Sequence, residues 1–124
     1  MLSRRSLILS TLAMVIAPIH ATARTTFSDA AFAQAKAAGR PIVIEFHADW
    51  CPTCRAQAPI VESFATKNGF VVLRVDYDNQ KDVRRNFGVR QQSTLIVYKG
   101  NVEVGRAVGI TSANSIAALM QRAL

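Results

Sequence analysis

Cysteine is scarce in this 124-residue chain: Cys51 and Cys54 are the only two. A structural zinc site takes four ligands, and with His47 the sole histidine outside the N-terminal segment the set falls short. A disulfide spanning two residues closes so small a loop that it restricts the unfolded chain little, which argues against a purely structural cross-link. Long apolar runs are missing too. The longest, from about Leu7 to Ile19, falls short of the roughly 20 residues that a membrane-spanning helix needs. Basic blocks are equally sparse, with Arg84-Arg85 the only adjacent pair beyond Arg4-Arg5, and aromatic residues make up 7% of the chain. A nucleic-acid-binding face wants clustered lysine or arginine with interleaved aromatics, so no nucleic-acid partner is expected. There is no internal repeat and no low-complexity tract, which leaves one small globular domain.

What is present begins with a leader. Arg4 and Arg5 precede the apolar run, and Ala21-Thr22-Ala23 places small residues at both cleavage-determining positions. Residues 1–23 read as a cleavable signal peptide and 24–124 as the mature domain, with an uncleaved anchor as the weaker alternative. Ser3-Arg4-Arg5-Ser6-Leu7-Ile8 fits a twin-arginine export signal as well as an ordinary Sec signal. The net charge of +7 falls to +5 when the leader, which has two arginines and no acid, is removed.

The two cysteines stand in Trp50-Cys51-Pro52-Thr53-Cys54, between a strand-like run (Ile42 to Phe46) and a helix-like run (Arg55 to about Lys67). A helix start presents free N–H groups and the positive end of the dipole, both of which favour a thiolate. A cysteine pair at such a start has a lowered thiol pKa. Cys51, nearer the strand, is expected to be the exposed nucleophile, and Cys54, one turn in, the buried thiol that resolves a mixed disulfide. Pro52 suits the first turn, where its missing N–H costs nothing, and leaves the Thr53 and Cys54 N–H groups to face the Cys51 sulfur. Redox chemistry is the favoured reading; a metal or cluster held by the pair, or an interaction domain with a structural disulfide, are the rivals.

Ser28 or Asp29 caps a first helix that stops at Gly39, and Pro41 precedes the nearly all-apolar strand Ile42-Val43-Ile44-Glu45-Phe46. Glu45 is the exception, and a carboxylate there needs a partner or a purpose. Ala58, Ile60, Val61, Phe64 and Ala65 give the next helix one buried face, with Pro59 expected to kink it. Phe70 to Val75 reads as a strand, Lys81 to Phe87 as a polar helix, Thr94 to Tyr98 and Val102 to Val108 as a hairpin, and Ser112 caps a helix reaching Leu124. Strands joined through a helix lie parallel and hairpin strands antiparallel, so the expectation is an α/β domain whose mixed sheet has helices on both faces.

The segment Phe46-His47-Ala48-Asp49-Trp50-Cys51-Pro52-Thr53-Cys54 resembles the active site of the thioredoxin family. Pro59, the segment Phe87-Gly88-Val89-Arg90 followed by Thr94-Leu95, and Gly109 resemble further landmarks of that family. The resemblance implies a thioredoxin fold and a thiol–disulfide oxidoreductase with no cofactor, acting as a monomer on protein thiols and disulfides. It implies Cys51 as nucleophile, Cys54 as resolving thiol, Trp50 as the aromatic flank of the substrate groove, and Glu45 as the buried catalytic acid that helps deprotonate Cys54, with Arg74 near it. Pro52, Thr53, Gln92 and Ser93 would line the substrate groove. His47 stands where the family often has an aromatic residue. The departure is Ser93, which stands where the family nearly always has a cis-proline. A cis bond before a residue other than proline costs about 3 to 4 kcal/mol, so Gln92–Ser93 is expected to be trans. Export implies the periplasm, where a reductant would need electrons from a membrane donor.

Overall fold

The computed structural model describes residues 13–15 and 24–124, so the expected leader lies outside the described residues apart from 13–15. Among the described residues no helix is long and apolar enough to cross a membrane.

Local chemistry accounts for most element boundaries. The Ser28 hydroxyl accepts from the Ala31 N–H and starts helix α1, Asp29–Ala37. Strand β2, Pro41–His47, runs into helix α2, Pro52–Asn68, which holds Pro59 inside one continuous element and ends at Gly69 with φ 70°, a left-handed cap that glycine adopts without penalty. Strand β3, Val71–Asp76, is followed by the short helix α3, Lys81–Asn86. The hairpin strands β4, Thr94–Lys99, and β5, Val102–Val108, come next, then helix α4, Ala113–Met120, capped by the Ser112 hydroxyl on the Ser115 N–H. The last helix was expected to reach Leu124; it tightens instead into a 3-10 turn over Gln121–Ala123.

These strands form one mixed sheet. With the two-residue strand β1, Thr25–Thr26, the order is β1-β3-β2-β4-β5. β2 pairs parallel with β3, while β4 pairs antiparallel with both β2 and β5. No sequence signal pointed to β1, because two threonines have no periodicity; its parallel pairing with β3 is what makes it a strand.

Side chains alternate across the sheet, so β2 feeds two cores. Val43 joins Val61, Phe70, Val97, Ile116 and Met120 beneath α2 and α4. Ile42, Ile44 and Phe46 face the other way, packing with Phe27, Leu73 and Ile96 under α1 and α3. Ile42, Val43 and Ile44 are fully buried, each contributing roughly 1.5 to 3 kcal/mol of burial energy. A strand covered on both faces cannot slip by one residue without exchanging the two cores, and this pins the end of β2 where the cysteines follow.

Candidate active site

β2 ends at His47, and the chain turns through Ala48, Asp49 and Trp50 before α2 begins. Cys51 is the N-cap of α2, in extended conformation, and its sulfur accepts from the Cys54 N–H at 3.4 Å. Pro52 occupies the first helical turn and is exposed, while Thr53 is half-buried. Both cysteines are free thiols. The expectation that Cys51 is exposed is corrected: its relative exposure is 4%, against 2% for Cys54. The sulfur is turned inward onto the hydrogen-bond donors that face it, and Ala48 and Tyr77 pack around the pair.

The facing loop supplies the closest polar group. The Ser93 hydroxyl lies 3.3 Å from the Cys51 sulfur and 3.0 Å from the Cys54 sulfur. No cis peptide occurs among the described residues, so Gln92–Ser93 is trans, and Ser93 instead takes φ 63°, the one positive φ outside glycine. A side-chain residue in that region carries strain of order 1 to 3 kcal/mol and persists only where its surroundings hold it. Here three hydrogen bonds do so: the Ser93 N–H donates to the Phe46 carbonyl at 2.9 Å, and the Ser93 carbonyl accepts from the Gly109 N–H and from Gln57 Nε2. Proline at this position would need φ near −65° and would lose the N–H to Phe46. Ser93→Pro is therefore expected to destabilise the fold by about 2 kcal/mol while rebuilding the loop, checked by urea denaturation; an unchanged midpoint would show that the loop accommodates proline freely.

The environment splits the two thiols. Burial opposes ionisation of Cys51, yet hydrogen bonds from the Ser93 hydroxyl, the Cys54 backbone and side chain and the Thr53 N–H outweigh it and hold this thiol below its ordinary value. Burial pushes Cys54 up; the Ser93 hydroxyl opposes the rise and the neighbouring Cys51 adds to it. The pair thus favours a thiolate at Cys51 and a thiol at Cys54.

The other expected site residues are placed as follows. Trp50 is 59% exposed, with its indole Nε1 donating to Asp78 at 2.8 Å, so the ring stands fixed beside the cysteines. A cavity of about 460 Å³ opens next to it, lined by His47, Asp49, Trp50, Arg74, Asp76 and Asp78, and includes neither sulfur. His47 is buried and its Nε2 lies 3.0 Å from Asp49 Oδ1, so it packs as part of β2 while keeping one polar contact. Gln92 is half-buried on the loop next to Ser93.

Glu45 is buried at 3% exposure on the α2 side of β2. Arg74, its register partner on β3, comes within 3.5 Å without a hydrogen bond. The carboxylate is gripped instead by Arg24, whose Nε bonds one oxygen and whose Nη2 bonds the other at 3.1 Å. Arg24 Nη2 also donates to the Ala58 carbonyl, and its Nη1 lies 3.5 Å from Glu62, tying the start of the domain to α2. Burial lowers the Arg24 pKa, but the bond and charge of Glu45 more than restore it, so the net shift is upward. Glu45 is thus buried with Arg74 near it, and Arg24 supplies its side-chain hydrogen bonds.

Sequence reasoning missed two of these residues. Arg24 carried no signal, since it sits at the supposed cleavage point and reaches Glu45 only through the β1–β3 pairing. Gln57 had one: it lies three residues after Cys54 on the same helical face, where buried positions run Cys54, Gln57, Val61 and Ala65. A glutamine in that stripe needs buried acceptors, and it finds the Ser93 and Ile110 carbonyls at 3.1 and 2.8 Å.

The family model for thioredoxin matches residues 21–122. The chain belongs to the thioredoxin family. A thioredoxin of Alicyclobacillus acidocaldarius subsp. acidocaldarius is 34% identical over 89 residues, covering 70% of this chain and 85% of that protein. An H-type thioredoxin of Oryza sativa subsp. indica is 38% identical over 82 residues, covering 65% of this chain and 67% of that protein. Among solved structures, Trxlp from Edwardsiella tarda superposes with a TM-score of 0.73 at 37% identity, covering 79% of this chain and 98% of that one. The thioredoxin fold, with its five-stranded mixed sheet and flanking helices, was the fold expected from the sequence. This thioredoxin homologue is a thiol–disulfide oxidoreductase with Cys51 and Cys54 as its pair, and thioredoxins act on protein disulfides.

Proposed function

We propose that this oxidoreductase works in the bacterial periplasm, released there as a monomeric domain of residues 24–124 after removal of the signal peptide 1–23. The arginine pair, the apolar run and the Ala21-Thr22-Ala23 site support export, by a Sec or twin-arginine route. The observation that carries the chemistry is the pair at the head of α2, where the Cys51 sulfur accepts from the Cys54 N–H and both sulfurs touch the Ser93 hydroxyl.

The Cys51 thiolate attacks one sulfur of a partner disulfide; the S–S electron pair leaves on the other partner sulfur, and a mixed disulfide forms. Cys54 then loses its proton and attacks the Cys51 sulfur, the partner sulfur bonded to Cys51 leaves and takes up a proton, and the chain holds a Cys51–Cys54 disulfide. Two electrons have passed to the partner, and the reverse sequence oxidises a dithiol. Trp50, Pro52, Thr53 and Gln92 surround the pair on the outer side and serve to seat the partner chain. Because the periplasm is held oxidising, turnover as a reductant draws electrons from a membrane donor, and turnover as an oxidant passes two electrons on to an acceptor that restores the Cys51–Cys54 disulfide.

Alkylation tests the roles. At mildly acidic pH iodoacetamide is expected to label Cys51 of the reduced protein first, because its lowered pKa gives it a larger thiolate fraction than the raised pKa of Cys54 allows there. Peptide mapping that found Cys54 labelled ahead of Cys51 would reverse the assignment. Fractionation of cells expressing the full chain, with the processed form expected in the periplasmic fraction, tests the location; an unprocessed cytoplasmic protein would refute it.

A further inference from the structure

Ser93 does more than occupy the loop where the family has proline. Its hydroxyl has one proton to donate and lone pairs to accept with, and it touches both sulfurs. The neighbouring groups favour one direction for each bond. The Cys51 sulfur already accepts from the Cys54 N–H at 3.4 Å, so it presents lone pairs to donors. The Cys54 sulfur lies 3.0 Å from Ser93 Oγ and 3.9 Å from the Phe46 carbonyl, and its one proton reaches the nearer serine oxygen when the hydroxyl proton is turned to Cys51. Ser93 is itself held by its N–H to Phe46 and its carbonyl to Gln57 and Gly109. Ser93 as a whole is only 4% exposed.

We propose that the Ser93 hydroxyl is a catalytic group of the redox pair, donating to the Cys51 thiolate while accepting the S–H of Cys54. The inference rests on the thiol–disulfide reading and adds a residue and a direction to it. During resolution the Cys54 proton passes to Ser93 Oγ as the Cys54 sulfur bonds to Cys51, and the original hydroxyl proton passes to the departing partner sulfur. One S–H and one O–H bond break, one O–H and one S–H bond form, and the hydroxyl ends unchanged. The same bond favours the reduced pair, because the donor has a thiolate to bind before oxidation and a neutral disulfide after it. The chain is thereby biased toward accepting electrons, as a dithiol oxidant does.

Other ionisable groups near the pair are engaged elsewhere. Tyr77, packed against the sulfurs from the β3–α3 turn, donates its hydroxyl to the Arg90 carbonyl. On β2 and the turn after it, Glu45 is held by Arg24 and His47 faces Asp49. From α2 the side chain facing Ser93 is the uncharged amide of Gln57.

Two substitutions separate hydroxyl from backbone. Ser93→Ala and Ser93→Gly both remove the hydroxyl, but glycine accepts φ 63° without strain whereas alanine does not. In both, the pH midpoint for iodoacetamide reaction at Cys51 is expected to rise by about one unit, a roughly tenfold loss of rate at mildly acidic pH. Equilibration against glutathione is expected to shift toward the disulfide by a similar factor. Unchanged profiles in both variants, or a wild-type profile in the glycine variant alone, would overturn the hydroxyl's role. If the unsubstituted protein failed to exchange with any disulfide, the oxidoreductase reading would fall, while the alkylation comparison would still judge the hydroxyl by itself.

Discussion

Replacing the resolving thiol, Cys54→Ser, is expected to stop turnover at the mixed disulfide and to lower the rate by roughly 10³-fold or more. In the native site Cys54 is one helical turn from Cys51, and the two sulfurs share the Ser93 hydroxyl. Well-oriented intramolecular groups act at effective molarities on the order of 10⁵ M or more, which no external thiol at physiological concentration replaces. The variant keeps the Cys51 thiolate, so the first step proceeds and the partner remains attached. Non-reducing electrophoresis should show a stable adduct that dithiothreitol releases, whereas Cys51→Ser should show none. An adduct formed equally well by Cys51→Ser would mean that Cys54 is the attacking sulfur.

The Arg24→Ala substitution is expected to cost about 3 kcal/mol of stability, because it strips the bidentate partner from a carboxylate whose side chain is 4% exposed. Removing one member of a buried pair is expensive for the charge left behind. Arg74, at 3.5 Å and without a hydrogen bond to Glu45, takes up only part of that role. In a Glu45→Gln background the same Arg24→Ala change should cost under about 1 kcal/mol, since no uncompensated charge remains. Equal losses in the two backgrounds, measured by urea unfolding, would show that Arg24 acts through Ala58 and Glu62 instead. Under the proposed cleavage after Ala23 this arginine is the first residue of the mature chain, so cleavage one residue later would produce the same loss.

Much of the fold was legible because the signals are local. Gly39, Gly69 and Gly88 each take a positive φ at the end of a helix, and Ser28 and Ser112 cap the helices that follow them. The apolar run at β2 announced a central strand, and the hairpin at Gly100 forced the antiparallel pair. The cysteine spacing together with the strand before it and the helix after it located the redox pair, because those three features put two sulfurs at one helix start wherever they occur together.

What the residues alone determined was therefore the type of the longer elements, the parallel β2–β3 and antiparallel β4–β5 pairing, the pair of sulfurs and the trans bond before Ser93, all of which follow from covalent geometry and short-range spacing. The tertiary structure alone decided which groups meet that pair. Arg24 lies 21 residues before Glu45 and reaches it through a strand that exists only as a partner of β3. Ser93 lies 42 residues after Cys51, and the antiparallel pairing of β4 with β2 brings the loop ahead of β4 over the sulfurs. Which of the two thiols carries the charge depends on the direction of those donors and on burial, and both are fixed only when the distant strands close into one sheet.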